Sequence, residues 1–203
     1  YFDLLNPADG ELVEYALPSQ LYILAAMNQA DVSVEPLDVA FLRRWAPLNL
    51  EPSVALLRNH FGLSLTPSGD LAATPASPDQ VCEAAVRAFE AVNDRIALGR
   101  GPEFRVGHGV LMAPNGKLGS VNEALDHFAV CWRAIKTHID EAFFGDVRGM
   151  ALVLNADQDI TDNPFVLEDM TFGGAPRARI KGPSMLGREH IYGLMLALAE
   201  IQG

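Results

Sequence analysis

The spacing of hydrophobic and polar residues changes along the 203-residue chain, and each spacing predicts a different element. A continuous apolar run from Leu21 to Ala26 has the length and the bounds of a fully buried β-strand, although periodicity alone leaves a buried helix open. Asn28 follows at the point where such a strand would end. Open α/β sheets bind their ligands at the carboxyl ends of parallel strands, so the pattern makes Asn28 a candidate functional residue.

A short helix is predicted directly after this run. Ser33 and Glu35 mark its start, and Pro36 suits its first turn, where the missing N–H costs no hydrogen bond. Apolar residues then recur at helical spacing on one face. The predicted helix ends at Arg43 and Arg44, where cations interact favourably with the helix dipole.

Four more helices are predicted from apolar residues at helical spacing, at about residues 53–61, 78–98, 120–144 and 190–201. Serines stand at the N-cap positions of the first three, namely Ser53, Ser77 and Ser120. Gln80 and Glu123 complete capping boxes in the second and third of these helices. The segment 78–98 has the most continuous apolar face and is the best-defined element of the sequence.

Turn-forming residues predict the connections between these elements. The run Asn6-Pro7-Ala8-Asp9-Gly10 predicts a turn, and its flanks, Phe2 to Leu5 and Glu11 to Leu17, predict a β-hairpin. Residues 64–78 are rich in proline, serine, glycine and alanine and predict a loop. Residues 145–187 predict strands or loops, with a turn at Gly173-Gly174, but the pattern leaves their order open.

Composition narrows the class of protein. Hydrophobic residues make up 49% of the chain and charged residues 20%, which is typical of a globular protein. A net charge of −11 argues against a main nucleic-acid-binding surface, but it leaves open a local basic patch, for example at Arg177, Arg179 and Lys181. Cys82 and Cys131 are too few for a disulfide framework, and the sequence shows no signal peptide and no membrane-spanning run, so we expect a cytoplasmic protein.

The residues around Asn28 carry a family resemblance. The run Met27-Asn28-Gln29-Ala30-Asp31-Val32-Ser33 continues through Pro36-Leu37-Asp38 to Ala40-Phe41-Leu42-Arg43-Arg44-Trp45. Without a gap, it resembles the segment of McrB-like AAA+ NTPases that reads Met-Asn-Thr-Ala-Asp-Arg-Ser, then Asp, then Ala-Leu-Arg-Arg-Arg-Phe. These proteins are the motor subunits of modification-dependent restriction systems; the best known use GTP, and related AAA+ branches use ATP.

A second, looser similarity lies further along the chain. Phe104-Arg105-Val106-Gly107-His108 resembles the Phe-x-Ile-Gly-His motif of the AAA+ lid, and residues 141–146 resemble the end of a lid helix. The resemblance implies an α/β fold, in which the end of a P-loop AAA+ core sheet is followed by a mostly helical lid. It implies that residues 1–52 belong to the nucleotide-binding core and residues 53–148 to the lid. Residues 149–203 would form a C-terminal extension of unknown role.

The resemblance also implies roles for particular residues. Asn28 would orient the attacking water beside a terminal phosphate, and Arg43 or Arg44 would reach the neighbouring subunit's nucleotide as an arginine finger. Such fingers contribute roughly 10³ to 10⁵ in rate in well-studied NTPases. Asp31 and His108 would contact the nucleotide or the subunit boundary. The implied cofactor is GTP or ATP with Mg²⁺. The implied partners are further copies of the chain in a ring, expected to be a hexamer, and a McrC-like nuclease subunit, with DNA contacted indirectly or through another domain and no membrane contact.

The chain departs from the family pattern in several places. It contains no G-x-x-x-x-G-K-[ST] loop, so the phosphate cradle and the Mg²⁺ ligands are expected upstream of Tyr1, and this chain alone would be an incomplete enzyme. Val32 replaces an arginine, and Leu42 replaces the first of three arginines. Both changes put efficient hydrolysis in doubt. Two other classes therefore stay open: a MoxR- or dynein-related AAA+ protein remodeller, and an interaction module that hydrolyses no nucleotide.

Structural roles are the alternative for each candidate residue. Asn28 would then cap a turn, Arg43 and Arg44 would be cations at a helix end, and His108 would be a partly buried histidine with a satisfied hydrogen bond. Asp31 would be an exposed turn carboxylate. The five histidines show no zinc-binding spacing, and no metal site is predicted within this chain.

Overall fold

The computed structural model describes residues 2–26, 43–67, 69–114 and 116–199. The chain divides into two compact units, Tyr1–Pro36 and Leu37–Gly203. Residues 27–42 lie outside the described residues, and with them Asn28, Asp31 and the short helix predicted before Arg43.

The first unit begins with the predicted hairpin. Strand β1 (Phe2–Leu5) pairs antiparallel with β2 (Leu12–Tyr15), which ends two residues earlier than the sequence predicts. Asn6 and Asp9 build the turn, because their side-chain oxygens accept the N–H groups of residues 8 and 11 at 3.1 and 3.0 Å. Gly10 has a φ of +75°, which suits glycine and closes the turn. The hairpin prediction is confirmed.

The strand predicted from the apolar run at residues 21–26 is not formed, and neither is a helix. The segment has no regular secondary structure, and its side chains are exposed, Tyr22 to 92% and Leu24 to 99%. A buried strand needs neighbouring strands at its edges and a packed layer on each face. The described part of the first unit supplies neither of these to residues 21–26, and the predicted core sheet remains a prediction.

The second unit is mostly helical. Its elements are α1 (Val54–Phe61), α2 (Pro78–Gly99), α3 (Val121–Ala142), α4 (Val147–Val153), β3 (Val166–Phe172), β4 (Ala175–Lys181) and α5 (Arg188–Ala199). Two 3₁₀ helices, Pro102–Phe104 and His108–Leu111, lie between α2 and α3. The serine hydroxyls of the three predicted N-caps each accept the N–H of the residue three positions on, at 3.3, 3.4 and 3.2 Å. Helices α1, α2 and α3 therefore begin where the sequence predicts.

Helices α2, α3 and α5 pack together and supply most of one hydrophobic core. The largest fully buried side chains include Phe89 of α2, Phe128 and Trp132 of α3, and Ile191 and Leu194 of α5. The resemblance implies a separate C-terminal extension at residues 149–203, but the described part of that range, up to residue 199, shares its core with residues 53–148. No helix in the described part of the chain combines the length and apolar character that crossing a membrane requires.

The order of residues 145–187, which the pattern left open, is helix α4 followed by a hairpin. Strands β3 and β4 pair antiparallel from Val166↔Lys181 to Phe172↔Ala175, and Gly173 and Gly174 form the predicted turn. Both glycines have positive φ, +58° and +81°, the combination of a two-residue type I′ turn. Leu167 and Ile180 pack against the core and fix one face of the hairpin to the helices.

Candidate functional site

The structure describes three of the five residues that the sequence analysis proposed for the site. Asn28 and Asp31 lie outside the described residues. Arg43 and Arg44 lie in a turn, and both side chains are exposed. Neither guanidinium makes an ion pair within the described ranges. An exposed pair of this kind is sterically able to reach another molecule, which a finger acting in trans requires.

The Phe104–His108 motif forms the link between the two 3₁₀ helices, and helix α2 holds it in place through Asn93. The buried Asn93 side chain makes two hydrogen bonds to one residue. Its Nδ2 donates to the Val106 carbonyl at 3.1 Å, and its Oδ1 accepts the Val106 N–H at 2.7 Å. Since Val106 is itself buried, Asn93 satisfies backbone groups that water cannot reach.

Two histidines of α3 bond the two 3₁₀ helices that the motif links, one histidine to each helix. His138 Nε2 lies 2.6 Å from the Phe104 carbonyl, and His127 Nε2 lies 2.9 Å from the Leu111 carbonyl. A carbonyl oxygen only accepts, so both Nε2 atoms carry the proton in these contacts. Residues 102–111 are thereby fixed to α2 and α3 by side chains that do not belong to the motif.

His108 connects the motif to α1. Its Nδ1 accepts the backbone N–H of Ser53, the N-cap residue of α1, at 3.2 Å, and the ring is partly buried. An accepting Nδ1 places the proton of the neutral ring on Nε2. This contact fits a structural role for His108, as a partly buried histidine with a satisfied hydrogen bond. The proposed role of His108 in nucleotide binding is a separate prediction.

Glu51 and Arg105 form an ion pair beside this junction. Arg105 Nη2 lies 3.3 Å from Glu51 Oε2, so the chain entering α1 contacts the motif at two points, through Glu51 and through Ser53. The arrangement can position α1 relative to the motif. The described residues contain no group of three or more His, Cys, Asp or Glu side chains that could hold a metal ion.

An ion-pair network that the sequence analysis did not predict joins α1 to α2. Arg58 is only 2% exposed, and its Nη2 contacts Glu83 Oε2 at 2.6 Å. Glu83 Oε1 also accepts from Arg87 Nε at 2.7 Å. Arg58 Nε donates to the Ser64 carbonyl, and Arg87 donates to the Gly69 carbonyl at 3.1 Å. The network thus fixes the loop after α1, although Arg58 Nη1 has no protein partner among the described residues.

The three cations at which the sequence left a basic patch open, Arg177, Arg179 and Lys181, lie on the exposed face of the β3–β4 hairpin. Arg179 and Lys181 share Glu168 of the paired strand, at 2.8 and 3.3 Å. Hydrogen bonds from Arg179 and then Lys181 lower the pKa of Glu168. Arg177 lies opposite Met170, which is partly exposed together with Phe172 at the turn. The patch carries three cations and one carboxylate among exposed apolar side chains.

Both cysteines are buried thiols. Burial, with a smaller contribution from Asp79, raises the pKa of Cys82 to about 12, and burial raises the pKa of Cys131 to about 11. A thiol with a raised pKa stays protonated at neutral pH and is a poor nucleophile. Neither cysteine is therefore a candidate catalytic residue.

No protein-family model matches the chain, and no curated protein matches it.

Proposed function

We propose that this chain is part of an AAA+ P-loop NTPase that hydrolyses GTP or ATP and resembles the motor subunit of a DNA restriction system. The observation that carries the proposal is the gapless agreement of residues 27–45 with the family segment, in which an asparagine, an acid and an arginine pair keep their spacing. In the proposed mechanism, Asn28 orients the attacking water and contributes no negative charge. Phosphoryl transfer depends mainly on such positioning and on charge stabilisation.

Arg43 and Arg44 have the second role in the proposal. A guanidinium offered to a neighbouring subunit offsets the charge that develops on the transferred phosphoryl group. The exposure of both side chains supports this role, because a finger acting in trans must not be committed to the interior of its own chain. The ring of subunits and the McrC-like nuclease partner belong to the same proposal.

The exposed apolar run at residues 21–26 also supports the proposal. Aliphatic and aromatic side chains in an unbroken run are atypical of a solvated loop, and contiguous exposed apolar surface marks sites that other protein surfaces cover. In the proposed NTPase the neighbouring strands of a core sheet would cover this run. Because residues 1–203 contain no G-x-x-x-x-G-K-[ST] motif, the proposal also requires that the phosphate-binding loop and the Mg²⁺ ligands come from outside these residues.

The direct test is nucleotide hydrolysis by a protein in which residues 1–203 are joined to such a loop. We expect GTP or ATP turnover, and a loss of roughly 10³-fold or more when the functional arginine is changed to alanine. The variants Arg43→Ala, Arg44→Ala and the double change identify which of the two acts. Arg58→Ala is no suitable control, because it breaks a buried ion pair; Arg133→Ala, an exposed change on α3, is the matched control. Unchanged turnover in all three finger variants would remove the proposed role.

An interaction module without hydrolysis is the second candidate function. Val32 and Leu42 stand where the family has arginines, and loss of those cations weakens charge stabilisation at a subunit boundary. Nucleotide binding without turnover, in the same protein, would favour this second function. ATP preference with activity on a protein substrate would instead favour a MoxR- or dynein-related remodeller.

A further inference from the structure

The open edge of the β3–β4 hairpin is a second candidate binding site, and its geometry follows from the turn. In a hairpin with a two-residue type I′ turn, the residues that flank the turn form a hydrogen-bonded pair, here Phe172 and Ala175. Hydrogen-bonded and non-hydrogen-bonded pairs then alternate along the ladder. Ala178 and Ile180 therefore belong to non-hydrogen-bonded pairs, and their backbone N–H and C=O groups point away from β3.

The opposite strand confirms this assignment. Leu167 pairs with Ile180, and its N–H points away from β4 to donate to the Ala156 carbonyl at 2.6 Å. Ala156 thus occupies part of the outer edge of β3. On the outer edge of β4, no described residue hydrogen-bonds to the backbone of Ala178 or Ile180. Pro176 also belongs to a non-hydrogen-bonded pair, with Thr171, so the proline removes no hydrogen bond between β3 and β4.

A groove runs beside this open edge. Two adjoining clefts of about 350 and 330 Å³ share Val147 and Ala178 as lining residues. Residues 176–180 all take part in lining them, so the wall on this side is the backbone of β4 and not one face of its side chains. We call this combined cleft the edge groove. Lys136 and Asp140 of α3 and Val147 and Met150 of α4 lie across it.

The residues around the edge groove define the sequence of a strand that would fit. On the exposed face, a strand added to β4 would have Arg177, Arg179 and Lys181 as its cross-strand neighbours. On the buried face it would meet Ala178 and Ile180, with Phe165 and Met150 beyond them. Glu168 offsets part of the positive charge, but the three cations of β4 outnumber it. Alternate side chains of a strand point to opposite faces, so the complementary sequence alternates acidic and apolar residues.

We propose that the edge groove binds an extended, acidic–apolar peptide segment of a partner protein, which adds to β4 as a third strand. Main-chain hydrogen bonds to Ala178 and Ile180 supply part of the affinity, and the alternating side chains supply specificity. The alternative is that the cations and the proline of β4 serve only to prevent aggregation through its edge. In that case the edge groove would bind no peptide strand. The proposal does not depend on nucleotide hydrolysis.

The test uses the full 203-residue chain and a labelled peptide of about ten residues in which glutamate and valine alternate. We expect saturable binding by fluorescence anisotropy, and a loss of about tenfold or more when the same residues are arranged in two blocks, because the blocks cannot match the two faces. Ala178→Pro removes an edge N–H and should weaken binding by about tenfold. Thr171→Pro is the matched control, because it removes an outward N–H from the opposite edge of the hairpin, on β3, and its affinity should stay within about twofold.

Amide exchange followed by NMR gives a second readout on the unaltered chain. Saturating peptide should slow exchange of the Ala178 and Ile180 amides by at least about tenfold, whereas the amides of Arg177 and Arg179, already bonded to β3, should change little. No saturable binding, equal affinity for the block peptide, or unchanged exchange at both edge amides would overturn the proposal. Binding of a single-stranded oligonucleotide in preference to the peptide would overturn it as well, because it would assign the basic face to nucleic acid.

Discussion

A buried charged side chain fixes the contact between α1 and α2. This side chain is Arg58, whose guanidinium is nearly inaccessible to water and depends on Glu83 for charge compensation. A buried charge left without its partner destabilises a protein far more than the intact pair stabilises it. The pair therefore acts mainly as a constraint on how α1 and the following loop meet α2.

Glu83→Ala should lower the free energy of unfolding by about 3 kcal/mol, because it leaves the Arg58 guanidinium buried without a counter-charge. Denaturant unfolding monitored by circular dichroism measures the change. Glu90→Ala is the matched control, since Glu90 lies on the same helix with an exposed side chain, and its effect should stay within about 0.5 kcal/mol. Equal effects of the two substitutions would contradict the constraint assigned to the pair.

The Cys82 thiol should make stability fall at alkaline pH. Its pKa in the folded protein, about 12, lies above the value of about 8.5 for an exposed thiol, so the unfolded chain loses its proton first. The stabilisation is complete below about pH 8.5 and is lost as the pH rises toward 12, with a slope of up to about 1.4 kcal/mol per pH unit.

Denaturant unfolding at several values between about pH 8 and 10 measures this slope. Cys82→Ala should roughly halve the slope, because Cys131, whose pKa is raised to about 11, contributes a comparable slope over this pH range. A slope that is unchanged in Cys82→Ala would show that another group causes the alkaline loss.

At the scale of elements, the motif at residues 104–108 owes its conformation to neighbours that lie far from it in sequence. The motif links two short 3₁₀ helices, Pro102–Phe104 and His108–Leu111. Asn93 of α2 and His138 of α3 bond its backbone, and His108 connects it to the N-cap of α1. His127 of α3 bonds the Leu111 carbonyl, three residues after the motif. Local sequence patterns indicate where the motif is, but they do not show these contacts, which depend on the packing of two long helices.

Asn93→Ala should destabilise the protein by about 2–4 kcal/mol, because it leaves the buried N–H and C=O of Val106 without partners. Hydrogen exchange at residues 104–108 should accelerate together with this loss. Asn59→Ala, at an exposed position of α1, serves as the control and should change stability by less than about 0.5 kcal/mol. Unchanged exchange at residues 104–108 in Asn93→Ala would show that the Asn93 hydrogen bonds do not hold this segment in place.

The helices show how far the sequence predicts this fold. Each capped helix, at Ser53, Ser77 and Ser120, begins where its sequence indicates, because capping is a local interaction. The joining of α5 to α2 and α3 was not predicted, since it depends on long-range packing of a helix with a broad apolar surface. The sequence pattern left the structure of residues 166–181 undecided for a similar reason, because the cross-strand register of this hairpin is set by a turn and by contact with α4.

At the scale of the whole molecule, the apolar run at residues 21–26 behaves differently from the pattern's prediction. Its length indicates a buried strand, yet burial is a property of the complete sheet and not of the run itself. Exposed in this chain, the run has the surface of an element that other parts of a sheet would cover. The proposed site likewise needs more than one chain to be complete, because the proposal divides it between Asn28 of one subunit and the arginine pair of the next.

This division between subunits is the central claim, and complementation in trans tests it most directly. The protein that joins residues 1–203 to a phosphate-binding loop is prepared as two variants, Asn28→Ala and the double change of Arg43 and Arg44 to alanine. Each variant alone should lose nucleotide turnover. Mixed in equal amounts, they should recover roughly a quarter of the wild-type rate, because a quarter of the interfaces then combine an intact asparagine with an intact arginine pair. No recovery on mixing, from variants that still assemble and bind nucleotide, would contradict the account.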